Sequence, residues 1–297
     1  MNHQYAYGRM AQVVDPITSL NKLVAKGSVS PRAFQRFVLD YFKKYGRDFP
    51  WRRTRNPYKI LVSEVMLQQT QTDRVVVKYT EFLKVFPTWT ALSDASPADV
   101  VKVWMGLGYY RRAFNLHRAA QSVCRDFGGR PPQNVEALKN LPGVGSYTAA
   151  AVAAFAYGEA VPMIETNIRS VYLHVFFPGA SDVSDKEILA KVSETICSED
   201  PRTWFYALMD LGVELKKQNK GINKRSKHHV RQSKFQGSHR QVRAALLKLV
   251  AANEGIQKKE LLMKLSFDTQ MVSKAFLDLE SEGLIAIARS GRVTIPD

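Results

Sequence analysis

The sequence predicts an all-α fold over its first two-thirds, followed by a basic linker and a small C-terminal module with a β-hairpin. Apolar residues recur at helical spacing from Ser30 onward, and clear strand patterns are absent up to about residue 215. Hydrophobic residues make up 45% of the chain and aromatic residues 10%, as in a globular protein. A length of 297 residues is enough for two or three domains.

The formal net charge of +16 favours a polyanionic partner. No long amphipathic basic helix indicates a membrane surface, so we expect nucleic acid. No apolar run is long enough for a transmembrane helix, and the N-terminus lacks the apolar core of a signal peptide. We expect a cytoplasmic protein, nucleoid-associated if it is bacterial. Cys124 and Cys197 are far apart and are expected to be free thiols rather than metal ligands.

The first part of the chain contains a candidate general acid. Residues 1–29 show no clear period and are expected to be mobile. One helix starts at Ser30-Pro31, and a second starts at Pro57 and continues beyond Leu67. Glu64 lies among the apolar residues of this second helix, where desolvation should raise its pKa as a general acid requires. The alternative is a glutamate on the solvent edge of the helix.

The next stretch is a series of shorter helices. They are predicted at residues 87–92, 97–106, 110–127, 134–140, 185–198 and 201–216. A small-residue turn that contains Tyr109 precedes Arg111 and Arg112. Aromatic rings beside arginines can stack on bases and hold phosphates. Ordinary core and surface positions are the alternative.

A tight turn at residues 141–145, LPGVG, separates two of these helices and makes a helix-hairpin-helix unit. Gly143 and Gly145 permit positive φ and a close approach of the backbone to another surface. Ser146 suits the N-cap of the Ala-rich helix that follows. Backbone N–H groups at such a turn bind an anion, which in nucleic acid is a phosphate. A purely structural turn is the alternative.

The C-terminal third changes character. Residues 216–237 form a basic linker, in which 216–234 contain eight Lys or Arg and no Asp or Glu. We expect this linker to be mobile and to contact DNA phosphates, with a solubilising tether as the alternative. Residues 238–297 contain three predicted helices, the third capped by Asp268, and a β-hairpin. This pattern predicts a winged helix-turn-helix, which we expect to bind DNA; a protein-interaction surface is the alternative.

Four sequence blocks resemble the helix-hairpin-helix (HhH-GPD) DNA glycosylases, and most closely the MutY-type adenine DNA glycosylases. The resemblance covers about residues 34–212, and the blocks fall in family order and at family spacing: PWRRTRNPYKILVSEVMLQQTQ, GLGYYRRAFNLHRAA, LPGVGSYTAAAVAAFAYG and MDLG. The resemblance implies a two-lobed glycosylase domain at residues 30–215. Its six-helix barrel lobe would span about residues 55–160, and its second lobe residues 30–54 and 161–215.

The resemblance implies a monomeric enzyme that excises a flipped-out adenine mispaired with guanine or 8-oxoguanine in double-stranded DNA. It implies that Glu64 protonates N7 of the adenine and that Glu165 stabilises the oxocarbenium-like sugar cation. Tyr147 and Asn167 would assist at the same centre. Positions that contact DNA or the base in the family correspond to Trp51, Arg52, Leu67, Gln69, Tyr109, Gly143, Gly145 and Ser146. Among these, Leu67 and Gln69 would wedge into the helix where the base leaves.

The chain departs from the family at several points. Lyase relatives carry a Schiff-base lysine where Tyr147 stands, so we expect a monofunctional glycosylase. The family's second carboxylate is Asp, but this chain has Glu165. Lys216 replaces the first cysteine of the family's iron–sulfur loop and no cysteine follows, so we expect no cluster. The winged helix replaces the family's Nudix-like domain, which reads 8-oxoguanine. The only ion that the resemblance suggests is a weakly held monovalent cation at the hairpin.

Two other functions remain open at this point. A thymine or uracil mismatch glycosylase also has a tyrosine at the hairpin and an acidic residue near Glu165. The complete SEVMLQQT block with Glu64 favours adenine. The other function is not enzymatic: a non-catalytic DNA-binding protein that its winged helix directs to DNA.

Overall fold

The computed structural model describes residues 15–228 and 234–296. These residues divide into two compact units. We call residues 48–163 with 234–296 the Glu64 unit, and residues 15–47 with 164–228 the Glu165 unit. None of the helices in the described ranges has the length and apolar character needed to cross a membrane.

The elements follow each other along the chain as α1 (Pro16–Val24), α2 (Pro31–Tyr45), α3 (Pro57–Leu67), α4 (Thr72–Val85), α5 (Trp89–Ser93), α6 (Pro97–Trp104), α7 (Arg111–Phe127), α8 (Val135–Lys139) and α9 (Ser146–Val152). A π-helical turn, Ala153–Tyr157, continues α9. The second half contains α10 (Thr166–Val175), α11 (Asp185–Thr195), α12 (Pro201–Gln218), α13 (His239–Ala252), β1 (Ile256–Gln257), α14 (Lys258–Met263), α15 (Thr269–Ser281), β2 (Ala286–Ile287) and β3 (Arg292–Thr294). The predominantly helical fold predicted from the sequence is confirmed.

Helix starts follow the local chemistry of the sequence. A proline opens α2, α3 and α12, and the residue before it accepts a backbone N–H through its side chain. Ser30 caps α2 at 3.3 Å, Asn56 caps α3 at 3.2 Å and Asp200 caps α12 at 3.1 Å. These caps satisfy N–H groups that have no partner within the helix.

The Glu165 unit is built around α2, α10 and α12. Phe34 of α2 lies edge-on to Tyr172 of α10 at 5.6 Å between ring centroids, and to Trp204 of α12 at 5.5 Å. All three rings are buried. This aromatic core fixes α10, and therefore Glu165 immediately before it.

The start of the chain differs from the sequence prediction. We expected residues 1–29 to be mobile, but α1 lies within them, capped by Asp15 and with Ile17 and Leu20 buried. The prediction missed α1 because a nine-residue helix gives too few turns for its period to stand out. Residues 1–14 lie outside the described ranges.

The predicted linker is also partly ordered. Helix α12 continues to Gln218, and a 3₁₀ turn, Ile222–Arg225, follows with Ile222 buried. The Arg225 guanidinium donates to the backbone oxygens of Phe177 and Ala180. Burial and these hydrogen bonds hold the chain as far as residue 228, contrary to the expectation of a mobile segment. Residues 229–233 lie outside the described ranges.

The C-terminal module contains the three helices and the hairpin predicted from the sequence, together with the short additional strand β1. The antiparallel sheet has the order β1-β3-β2, with Val293 opposite Ile256 on one side and Ile287 on the other. Asp268 caps α15 at 2.9 Å, as predicted. Phe276 and Val293 are buried between helices and sheet.

Candidate active site

Glu64 is buried in the centre of α3. Only 4% of the residue is exposed, and the helix around it, from Tyr58 to Met66, is buried almost throughout. The alternative of a glutamate on a solvent edge is therefore excluded. The Tyr147 hydroxyl donates a hydrogen bond of 2.9 Å to Oε2 of Glu64. The structure thus brings together two of the four predicted catalytic residues and fixes the orientation of the carboxyl group.

The C-terminus of α3 is held by Arg112, for which the sequence left open a contact with bases or phosphates and an ordinary core or surface position. Its guanidinium instead donates to the backbone oxygens of Val65, Met66, Gln68, Leu107 and Gly108 and to the Thr70 hydroxyl, at 2.6–3.2 Å. Burial lowers the pKa of Arg112 to about 10, against the opposing influence of Tyr109. Arg112 therefore satisfies carbonyls at the end of a helix, where no N–H is available.

The segment after α3 contains the predicted wedge. The sequence analysis continued one helix from Pro57 beyond Leu67, but α3 ends at Leu67 and α4 starts only at Thr72. Gln69 has φ 56°, a left-handed conformation that a helix cannot continue. Gln69 is exposed and Leu67 is partly exposed. This geometry places both side chains at the surface, as a wedge into DNA requires.

The hairpin presents its backbone to solvent. Gly143 has φ 75°, and a Cβ on it would lie 2.6 Å from Cβ of Asn115. Gly145 is the N-cap of α9 and makes no side-chain cap hydrogen bond, so the prediction that Ser146 is the N-cap is wrong. Ser146 is instead the first helical residue, and both it and Gly145 are exposed. Because no side chain caps the first N–H groups of α9, an anion has room to bind at this turn.

The remaining predicted DNA contacts have different surroundings. Trp51, for which the resemblance implies a place in the base pocket or along the strand, is buried, stacked on Phe49 at 5.0 Å and edge-on to Tyr79. Its large ring finds more apolar contact in the core than at the surface. Arg52 lies over the same Phe49 ring and is partly exposed.

Tyr109 is partly exposed and has φ 49°. The guanidinium of Arg240, on α13 of the C-terminal module, lies 5.3 Å from its ring centroid and donates to its hydroxyl. This contact could not be predicted from the sequence, because the two residues are 131 positions apart. Tyr109 therefore joins the Gly-rich turn to α13 within the Glu64 unit.

Glu165 is the N-cap of α10, a role that the sequence analysis did not predict. Its Oε1 accepts from the backbone N–H groups of Asn167 at 2.7 Å and Ile168 at 2.9 Å, and its Oε2 accepts from Nδ2 of Asn167 at 3.0 Å. Glutamate is not among the residues preferred at this position, so the cap could not be recognised from the sequence. Glu165 and Asn167 are thus brought together, as the resemblance implied.

The environment of Glu165 acts on its charge in two opposite directions. Burial raises the pKa of Glu165, whereas the hydrogen bonds from Asn167 and Ile168 and the positive charge of Lys216 oppose that rise. Oδ1 of Asn167 is buried and has no hydrogen-bond partner among the described residues. A buried acceptor of this kind is suited to a donor from a substrate or a water molecule.

The MDLG block positions this group. A Cβ on Gly212 of α12 would lie 2.2 Å from the carbonyl oxygen of Asn167, so only glycine allows α12 to approach α10 this closely. Asp210 of the same block is buried and forms an ion pair with Arg47 at 2.6 Å. The block therefore sets the position of α12 against the residues that follow Glu165.

The residues do not fit the iron–sulfur cluster of the family. A four-cysteine site needs four thiolates, but this chain contains only Cys124 and Cys197. Both precede α12, after which the family's loop would lie. No step of the chemistry below depends on a cluster.

Comparison with known proteins agrees with the resemblance. A sequence model of the HhH-GPD superfamily of base excision DNA repair proteins matches residues 62–197. A curated adenine DNA glycosylase of Mycobacterium tuberculosis is 33% identical over 281 residues, which cover 87% of this chain and 92% of the relative. The human adenine DNA glycosylase is 36% identical over 193 residues, which cover 61% of this chain and 35% of the relative.

Solved structures show the same fold. A thermostable thymine-DNA glycosylase matches with a TM-score of 0.57 and 27% identity, over 67% of this chain and 88% of that chain. An endonuclease III in a trapped covalent DNA intermediate matches with a TM-score of 0.53 and 20% identity, over 60% of this chain and 82% of that chain. By its sequence blocks, its fold and a relative matched over nearly its full length, the chain belongs to the HhH-GPD superfamily of base excision DNA repair proteins and, within it, to the MutY-type adenine DNA glycosylases.

Proposed function

We propose that this protein is a DNA glycosylase of base excision repair that hydrolyses the N-glycosidic bond of a mispaired adenine. The observation that carries the proposal is the buried Glu64 carboxyl group, hydrogen-bonded to Tyr147 at 2.9 Å. A buried carboxyl group is suited to hold a proton near neutral pH and to donate it to a base. The 33% identity to an adenine DNA glycosylase over 92% of its length supports adenine as that base.

In the reaction, Glu64 donates its proton to N7 of the flipped adenine. Protonation makes the base a better leaving group, so the bond between C1′ and the base breaks with its electron pair on the base. The Tyr147 hydroxyl holds the carboxyl group in one orientation during this transfer. Because Tyr147 has no amine, it cannot form a Schiff base with the sugar, and we expect a monofunctional enzyme.

Loss of the base leaves a positive charge on the sugar, which a second carboxylate stabilises. Glu165 supplies this negative charge, and its three hydrogen-bond donors fix its position. Water then attacks C1′ and loses a proton, which leaves an abasic site. We assign Asn167 to orient this water or the sugar, because its buried Oδ1 has no partner among the described residues.

DNA is the partner of this chemistry, and the surface charge is consistent with it. The net charge of +16 attracts DNA phosphates whatever the base sequence of the DNA. The exposed hairpin at Gly143, Gly145 and Ser146 is the proposed grip on one strand, and Gln69 with Leu67 is the proposed wedge. The order α13-β1-α14-α15-β2-β3 supports the winged-helix interpretation of the C-terminal module, which we propose binds DNA as well.

A second candidate is excision of thymine or uracil from mispairs with guanine. The structural similarity to a thymine-DNA glycosylase, at 27% identity, supports this second candidate. Adenine remains the better proposal, because the adenine-specific relative is matched at higher identity and over a larger share of this chain.

One assay separates these functions from binding alone. Duplexes with A opposite G, 8-oxoguanine or C, and with T or U opposite G, are incubated with the protein and then treated with alkali. We expect cleavage at A that disappears in Glu64→Gln and persists in Glu81→Gln, a control at an exposed glutamate paired with Lys78. Cleavage only at T or U supports the second candidate, and binding without any cleavage contradicts both.

A further inference from the structure

Lys216 stands where the family has the first cysteine of its iron–sulfur loop, and in this chain it lies beside Glu165. Both residues belong to the Glu165 unit. Burial raises the pKa of Glu165 and lowers the pKa of Lys216, and the opposite charge of each residue opposes this shift in the other. Lys216, which replaces that cysteine, is therefore part of the electrostatic environment of a proposed catalytic carboxylate.

Helix geometry explains why Lys216 lies near Glu165 without reference to the pKa of either residue. Gly212 and Lys216 are four residues apart on α12, so they lie on one face, separated by one turn. Gly212 touches the backbone of Asn167, two residues after Glu165. Side chains on a helix lean toward its N-terminus, so Lys216 extends back toward this contact. The close crossing at Gly212 thus brings Lys216 to the start of α10, where the Glu165 carboxyl group lies.

The other charged groups near this site are already paired. Arg47 also acts on Lys216, but it forms an ion pair with the buried Asp210. On the α11 side, Arg169 of α10 pairs with Asp185 at 2.8 Å. From the 3₁₀ turn, the neutral Asn223 contacts Thr166 and Ser170. Among the described residues, the charge that acts on Glu165 is that of Lys216.

We propose that Lys216 is a positioning residue that provides the counter-charge of Glu165 and keeps its carboxylate ionised where the reaction creates a positive charge on the sugar. The inference rests on the proposed glycosylase function. A protonated Glu165 would keep its place as a helix cap but would lose its attraction for the sugar cation. Without Lys216, burial would favour this protonated form. Glu165, whose side chain is one methylene longer than the family's aspartate, then depends on Lys216 to remain charged.

The test compares Lys216→Met, Lys216→Arg and Lys43→Met. Methionine removes the charge and keeps most of the side-chain volume, whereas arginine restores the charge. Lys43 of α2 is the control in the same unit, because it is exposed and pairs with Asp40 at 3.5 Å, outside the basic linker. Single-turnover rates with excess enzyme, on the mispair that the wild type cleaves, are measured between about pH 5 and pH 9. Dissociation constants and melting temperatures are measured for each variant.

We expect Lys216→Met to move the acidic limb of the rate profile to higher pH by roughly one unit or more, because a nearby opposite charge lowers a carboxyl pKa by that amount. Lys216→Arg should restore the profile, and Lys43→Met should leave it unchanged. An unchanged acidic limb in Lys216→Met overturns the inference. Borohydride trapping of DNA on Lys216 also overturns it, because Lys216 would then be a nucleophile.

A second measurement needs no activity and therefore separates the inference from the proposed function. The Glu165 carboxyl resonance is titrated by ¹³C NMR in the wild type and in Lys216→Met. We expect its pKa to rise in Lys216→Met, and an unchanged pKa overturns the inference even if the enzyme cleaves DNA. If the pKa rises but no duplex is cleaved by the wild type, the pairing stands and the proposed function fails.

Discussion

The hydroxyl of Tyr147, on α9, donates a hydrogen bond of 2.9 Å to Oε2 of Glu64, on α3. The two residues are 83 positions apart, and the bond joins the hairpin helix directly to the proposed general acid. The hairpin that would hold the DNA strand and the group that would protonate the base are therefore parts of one rigid arrangement. A substitution at this hairpin position is therefore expected to change the chemistry as well as DNA binding.

Tyr147→Phe should slow base excision without preventing DNA binding. The ring is kept, but the Glu64 carboxyl group loses the donor that orients it. We expect a fall in the single-turnover rate of roughly 10- to 100-fold, the equivalent of one hydrogen bond to the negative charge that develops on Glu64 as its proton moves to the base. Tyr157→Phe is the control, because the Tyr157 hydroxyl donates a long hydrogen bond of 3.4 Å to the backbone oxygen of Pro131, away from Glu64. Equal rates for wild type and Tyr147→Phe would exclude the proposed role.

Tyr147→Lys should introduce strand cleavage. An amine at this position can attack C1′ of the abasic sugar and form an imine with loss of water; removal of the C2′ proton then expels the 3′ phosphate. We expect a covalent DNA adduct after borohydride reduction in Tyr147→Lys and not in Tyr147→Phe. A high yield of trapped product with the native enzyme would contradict the assignment as a monofunctional glycosylase.

Gly143→Ala and Gly145→Ala should separate the fold of the hairpin from its contact with DNA. Gly143 has φ 75° and a Cβ there would meet Cβ of Asn115 at 2.6 Å, so we expect a loss of unfolding free energy of about 1–3 kcal/mol. No heavy atom lies within 4 Å of a Cβ built on Gly145, so its stability should be unchanged.

DNA affinity is the second measurement on these variants. If a phosphate approaches the backbone at the hairpin, Gly145→Ala should weaken binding although its melting temperature is unchanged. Wild-type affinity in Gly145→Ala would place the phosphate elsewhere.

The sequence predicted local features of the site well, because they depend on neighbouring residues. The positive φ of Gly143 follows from a tight turn, and the helix around Glu64 follows from its apolar pattern. The prediction was wrong at Leu67, where the helix ends although it was expected to continue. It was also wrong at Ser146, because the N-cap lies one residue earlier, at Gly145. Such shifts are small in sequence but decide which N–H groups face solvent.

The interactions that the sequence could not predict are those made between distant segments. Arg112 looks like a phosphate contact beside Tyr109, yet its donors are used by carbonyls more than forty positions earlier. Lys216 looks like the start of a solvated basic linker, yet the crossing at Gly212 brings it to Glu165. Charge and spacing alone do not distinguish an arginine or lysine that faces DNA from one that faces its own backbone.

Arg112→Met and Arg111→Met test this distinction. Arg112→Met leaves several partly buried carbonyl oxygens without a donor, so we expect a loss of unfolding free energy of about 3 kcal/mol or more. Arg111 is exposed, so Arg111→Met should leave stability unchanged and reduce the slope of log affinity against log salt by roughly one. Denaturant unfolding and salt-dependent DNA binding measure the two effects. If Arg112→Met were as stable as the wild type and lost only DNA affinity, the phosphate role first inferred for Arg112 would be correct, and the end of α3 would need another support.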